Sequence, residues 1–133
     1  MADKAAHQRK ARHNEKFFTL NTTITKGVKS YPDWCIIVIH YAALHYVDAK
    51  LAKMNIHPPD HQDRDSLVAN NLARGISAAY NFLRNRSETA RYFPDSENNF
   101  NEHDVRACID KLHVIEPNTA LFKFSTTYSA AFA

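Results

Sequence analysis

The chain has very little glycine: Gly27 and Gly75 are the only two in 133 residues. Tight hairpins draw heavily on glycine for positive-φ backbone, so this scarcity argues against a turn-rich all-β fold. Cysteine is as scarce, with Cys35 and Cys108 alone. Both fall in helical patterns, so they read as reduced core residues of a cytoplasmic protein, without a disulfide framework. The N-terminus lacks the apolar run of a secretory signal, and Asp3 and Glu15 break the acid-poor pattern of a transit peptide. The longest apolar stretch, about 35–47, is interrupted by His40 and His45 and is short for a bilayer span. No membrane role is expected. H-E-x-x-H, G-x-S-x-G and a glycine-rich phosphate loop are all missing, which weighs against zinc proteases, serine hydrolases and P-loop enzymes. There are no internal repeats and no sustained heptads.

What is present suits one helical domain. Apolar residues make up 44% of the chain, enough for a core at this length. The net charge of +3 is uneven. Residues 1–31 carry seven Lys/Arg against two acids, and the rest carry ten against twelve. A basic N-terminal arm is either a nucleic-acid footprint or a solvated helix face.

Proline at positions 32, 58, 59, 94 and 117 marks the joints. Four helical segments lie between them. The first runs from about Asp3 to Asn21, with Ala6, His13, Phe17, Leu20 and Ile24 at helical steps. The second runs from Tyr31 to Met54, with Ser30-Tyr31-Pro32-Asp33 resembling a capping box. One of its stripes holds Trp34, Ile37, Val38, Tyr41, Leu44, His45, Asp48 and Leu51. The opposite side holds Ile36, Ile39, Ala43 and Val47, so this helix is expected at the bundle centre or at a subunit contact. The third region, Asp60–Tyr92, reads as a short helix before a longer one. Gly75 is a candidate bend or close crossing there. The fourth segment is Glu102–Ile115, with Asn101 as N-cap and Asp104 at N3. Residues 95–99 read as a polar loop. The expected fold class is all-α: a four- to five-helix up-and-down bundle over residues 1–117. An aromatic C-terminal tail, 118–133, is either docked or partner-binding.

Polar residues fall on the apolar stripes. His45, Asp48 and Ser87 occupy inner positions, with Arg91 and Tyr92 at the end of the third region and His61 and Arg64 just after Pro58-Pro59. Buried polar groups are unfavourable unless paired. The set is therefore either a network that fixes helix register, with Trp34 and Tyr41 as core aromatics, or a cationic pocket for a phosphate or nucleotide. If the second and third helices are antiparallel, Arg91 approaches Trp34 and Tyr41, while His61 and Arg64 approach Asp48. A metal site at His57, Asp60, His61 and Asp63 is disfavoured, because Pro58-Pro59 keeps the histidines off a common helix face.

Asp33-Trp34, Tyr41-Ala42-Ala43-Leu44-His45, His61-x-x-Arg64 and Tyr80-x-x-Leu83…Ser87…Ala90-Arg91-Tyr92 together resemble the HEPN superfamily, in particular its small stand-alone prokaryotic members. The resemblance spans roughly residues 5–116. It implies a helical bundle that forms a homodimer and binds RNA or nucleotides. It also implies either a metal-independent endoribonuclease of a toxin–antitoxin, CRISPR or other defence system, or a non-catalytic module. The implied partners are an antitoxin or a nucleotidyltransferase. Active members carry Arg, four to six residues, then His. Arg106 and His113 match that spacing and are the candidate catalytic pair, requiring no cofactor or metal. Histidine suits the proton transfers and arginine the phosphorane charge. The residue after Arg106 is Ala107, where active members often carry Asn, Asp or His, and this departure favours the non-catalytic module. His45, Asp48, His61, Arg64, Ser87, Arg91 and Tyr92 are the candidate ligand-binding residues.

Overall fold

The computed structural model describes residues 3–11, 31–92 and 100–118, and every described element is helical or connecting. Helix α1 covers residues 4–11, α2 Pro32–Lys53, α3 His61–Asn71, α4 Arg74–Tyr92 and α5 Glu102–Ile115. The first segment beyond residue 11, the loop at 95–99 and the tail from 119 onward lie outside the described residues.

Local chemistry sets the helix ends. Asp3 Oδ1 accepts the Ala6 amide at 2.8 Å at the start of α1. Pro32 occupies the first turn of α2, where its missing N–H costs nothing. Tyr31 is the cap residue and offers no side-chain bond. Ser30 of the expected box lies outside the described residues, and Asp33 is the acid of the first turn. The C-terminus of α2 closes by a Schellman motif. Asn55 sits at φ 59, its amide donates to Ala52 O, and the Ile56 amide donates to Leu51 O, both at 2.9 Å. Pro58-Pro59 follows, and Asp60 caps α3 by accepting the Asp63 amide at 2.8 Å. α5 opens with the reciprocal box expected of Asn101 and Asp104, at 2.9 and 3.1 Å.

α2 is the central element. α4 and α5 both pack on it and on each other, while α3 touches α2 and α4. Ile36, Ile39, Ala43, Val47 and Leu51 of α2 are buried against Leu83 of α4 and Val105, Ile109, Leu112 and Ile115 of α5. At 22 residues α2 is long and apolar enough to cross a membrane on length and composition alone, and most of its apolar window is buried in the bundle. Cys35 and Cys108 are free and buried, and burial pushes both thiols up to about 12.

Two expectations are corrected. Trp34 is 61% exposed and Tyr41 sits at the surface, so they are not core aromatics. α2 is apolar nearly all round, and the placement of α4 and α5 decides which flank is left open. That flank is Trp34, Val38, Tyr41 and His45. Gly75 marks no close crossing, since a Cβ there would meet nothing within 4 Å. The chain breaks just before it, between Asn71 and Arg74.

Candidate ligand-binding cavity

The polar residues singled out in the sequence divide into two groups. The first is closed. Asp48 is 3% exposed, and Arg64 grips it with both arms of its fork: Nε donates to Oδ1 at 2.7 Å and a terminal nitrogen to Oδ2 at 3.0 Å. Burial alone would loosen the guanidinium proton, but the bond and charge of Asp48 outweigh it, and the Arg64 pKa is raised. Arg64 also meets His61 Nδ1 at 2.9 Å. His45 faces His7 of α1, Nδ1 to Nδ1, at 3.3 Å, and His7 lies 4.0 Å from Asp48. At that spacing one histidine donates and the other accepts. Burial first, then His7, pushes the His45 imidazole down to about 4, against the pull of Asp48. His45, Asp48 and Arg64 thus form a register-fixing network joining α1, α2 and α3.

The second group is open. A cavity of about 360 Å³ lies between α2, α3 and α4, lined by His40, His61, Gln62, Asp65, Tyr80, Arg84, Glu88, Arg91 and Tyr92. Small-molecule sites span about 300–1,000 Å³. His61, Arg91 and Tyr92 of the expected set line it. Ser87 does not. It is fully buried, and its Oγ has no hydrogen-bond partner among the described residues. Arg91 reaches Tyr41 Oη and Ser87 O, each at 3.3 Å, and lies over the Tyr92 and Tyr41 rings at 5.1 and 5.9 Å. The expected approach of Arg91 to Tyr41 and of Arg64 to Asp48 both hold. Arg84 is tied to Asp65 at 3.1 Å and to Glu88 at 3.4 Å. Arg91 has no carboxylate within ion-pair distance among the described residues.

His40, which the sequence marks as a break in the apolar stretch, was not among the candidate site residues. It is 2% exposed, and neither ring nitrogen has a hydrogen-bond partner among the described residues. Burial first, then the charges of Arg91, His61, Arg64 and Arg84, hold its imidazole down to about 3, so it is neutral at physiological pH. The Tyr80 ring lies 6.0 Å away, and burial pushes its phenol up to about 12. The readable signal was position: His40 shares the buried flank of α2 with Ile36, Ala43 and Val47.

Arg106 and His113 lie on α5, half-buried, and do not line the cavity. Seven residues separate them by about 10 Å along the helix axis. Among the described residues no three His, Cys, Asp or Glu side chains are grouped to hold a metal ion.

Among the described residues, fold and site together define a helical bundle with a polar cavity between three of its helices. No family model matches the chain, and neither does any curated protein or solved structure.

Proposed function

We propose that the protein is a HEPN-like nucleotide- or RNA-binding module whose cavity takes a phosphate-bearing ligand. The observation that carries this reading is Arg91. It is a cation without a described carboxylate partner, at a cavity of ligand size, and beside exposed aromatic faces. A guanidinium fork grips phosphate oxygens in pairs, and an adjacent ring offers a stacking face to a base. The basic balance of residues 1–31 adds long-range attraction for a polyanion.

Binding of nucleoside monophosphates and of short single-stranded RNA tests this. Arg91→Ala should weaken binding by about tenfold or more, as expected for loss of a charge-assisted bond. Its melting temperature should stay close to that of the unsubstituted protein, because Arg91 is only half-buried and its described polar bonds are long. Failure of the unsubstituted protein to bind either probe would overturn the reading.

A catalytic form of the same reading rests on Arg106 and His113 sharing one half-buried flank of α5. RNA incubated with EDTA, beside His113→Ala, separates the two forms. Cleavage lost only in the variant makes the protein a metal-independent endoribonuclease. RNA left intact by both makes it a binding module.

A further inference from the structure

Burial and charge run in opposite directions through the cavity. Its deepest residues, His40 and Tyr80, are 2% and 1% exposed and both are neutral. Its charged residues, Arg84, Arg91, Asp65 and Glu88, are only half-buried, and Tyr92 is 72% exposed at the rim. Arg84 bridges both acids, so the four charges sum to zero, while Arg91 itself makes no ion pair with either acid among the described residues. A neutral imidazole presents one N–H donor and one bare nitrogen acceptor. Among the described residues both go unused on His40, and so does the acceptor Asp65 Oδ1. Buried polar atoms are rarely left unpaired in folded proteins, and a group that stays so is a candidate for pairing with something the protein binds.

We infer that the cavity holds a single nucleotide, base inward on His40 and phosphate outward on Arg91. The inference rests on the proposed binding function and goes further, assigning the base-reading role to a residue outside the phosphate contact. A nucleobase edge offers a neutral, planar row of donors and acceptors that can pair with the imidazole nitrogen on the cavity side. Asp65 Oδ1 accepts only, so the inward end must also bring an N–H. Sugar phosphates lack the planar edge and would engage the rim alone. The ligand is either a free nucleoside monophosphate or the phosphorylated end of an RNA strand, since both present the same terminal unit.

The test compares the four nucleoside monophosphates with ribose 5-phosphate by calorimetry, on the unsubstituted protein and on His40→Phe and His40→Leu. At least one nucleotide should bind about tenfold or more tightly than ribose 5-phosphate, a difference of about 1.4 kcal/mol. In the His40 variants that ratio should fall to about one, while ribose 5-phosphate affinity stays within about twofold. A ratio that survives loss of His40, or a protein that never prefers nucleotide, overturns the inference. If ribose 5-phosphate still binds in either case, the phosphate-binding reading stands. If nothing binds, both fall. The side-chain nitrogen shifts of His40 in the unsubstituted protein give a measurement independent of folding of the variants. They should move with nucleotide and not with ribose 5-phosphate, and unchanged shifts at saturating nucleotide overturn the inference. A short RNA with a 5′-phosphate, set against the same RNA without it, separates the sources. Competition with nucleotide by the phosphorylated strand alone assigns the RNA end, and no competition by either assigns the free nucleotide.

Discussion

Asp48→Ala should destabilise the protein by about 3–5 kcal/mol, the range for removing one partner of a buried ion pair. Both Asp48 oxygens are taken by Arg64, at 2.7 and 3.0 Å, and the carboxylate is nearly inaccessible. Removing it strands a guanidinium that has little water to turn to. His61 gives it one further contact, but an imidazole brings no negative charge to balance the guanidinium. The size of the loss measures an orphaned charge and not the net contribution of the pair. The double substitution Asp48→Leu with Arg64→Met should therefore recover most of the stability, because apolar replacement of both partners is often close to neutral. Urea unfolding of the single and double variants checks this. A loss below about 1 kcal/mol for Asp48→Ala would place the pair with solvated surface bridges. The same contrast explains why Arg64 is the wrong residue for probing ligand binding: its loss unsettles α2 against α3 before any ligand is added.

The protein should also lose stability as pH falls from about 7 to 5, with His40 as the main contributor. The ordinary histidine value is 6.5, and His40 is held down to about 3 in the folded protein. Well above pH 6.5 both folded and unfolded chains carry a neutral imidazole, so His40 adds no pH dependence there. Below 6.5 the unfolded chain takes up the proton and the folded one does not, which favours unfolding. By pH 5 the loss from His40 amounts to roughly 2 kcal/mol. It deepens until the pH reaches the folded value. Most carboxylates titrate lower, so the window from 7 to 5 isolates the histidines. His45, held down to about 4, acts in the same direction, but it is more exposed and its share is smaller. Urea unfolding at pH 7 and pH 5 should show a steep dependence in the unsubstituted protein and a shallower one in His40→Phe. Equal slopes would mean that His40 gains a proton partner in the folded state. At pH 7, His40→Phe should be at least as stable as the unsubstituted protein, because it removes two unpaired buried nitrogens. Loss of ligand selectivity together with retained stability is the signature of a residue kept for function.

The helices were legible because their signals are local. Proline at 32 and at 58–59, the Asn101–Asp104 box and the 3.6-residue spacing of Val105, Cys108, Ile109, Leu112 and Ile115 act within a few residues of one another. α5 falls on its expected limits, and α2 begins and ends within a residue of the expected Tyr31–Met54. The division of the third region into a short and a longer helix was legible too. Half of the polar set was readable in the same way. Asp48 and Ser87 stand on inner stripes and are buried, and Arg91 and Tyr41 meet as an antiparallel pairing would require.

Periodicity could not say which polar residues pair and which stay open. Asp48 and His40 are both polar interruptions of one helix, two turns apart. One is closed by Arg64, and the other faces a cavity with no partner among the described residues. The difference comes from α3, whose Arg64 turns to α2 while His61, Gln62 and Asp65 turn to the cavity. Arg84 and Glu88, one turn apart on α4, look like an ordinary surface pair in the sequence, yet they line the cavity. The sequence by itself determined that the described residues are helical, the limits of α2 and α5, and the burial of Asp48 and Ser87, because capping, proline geometry and amphipathic spacing are short-range effects. Only the tertiary structure decided that Trp34 is exposed, that Asp48 and Arg64 neutralise each other, and that His40 stands unpaired beside a cavity. Each of those depends on where a second helix comes to rest, and α2, apolar on nearly every side, does not encode that choice along its own length.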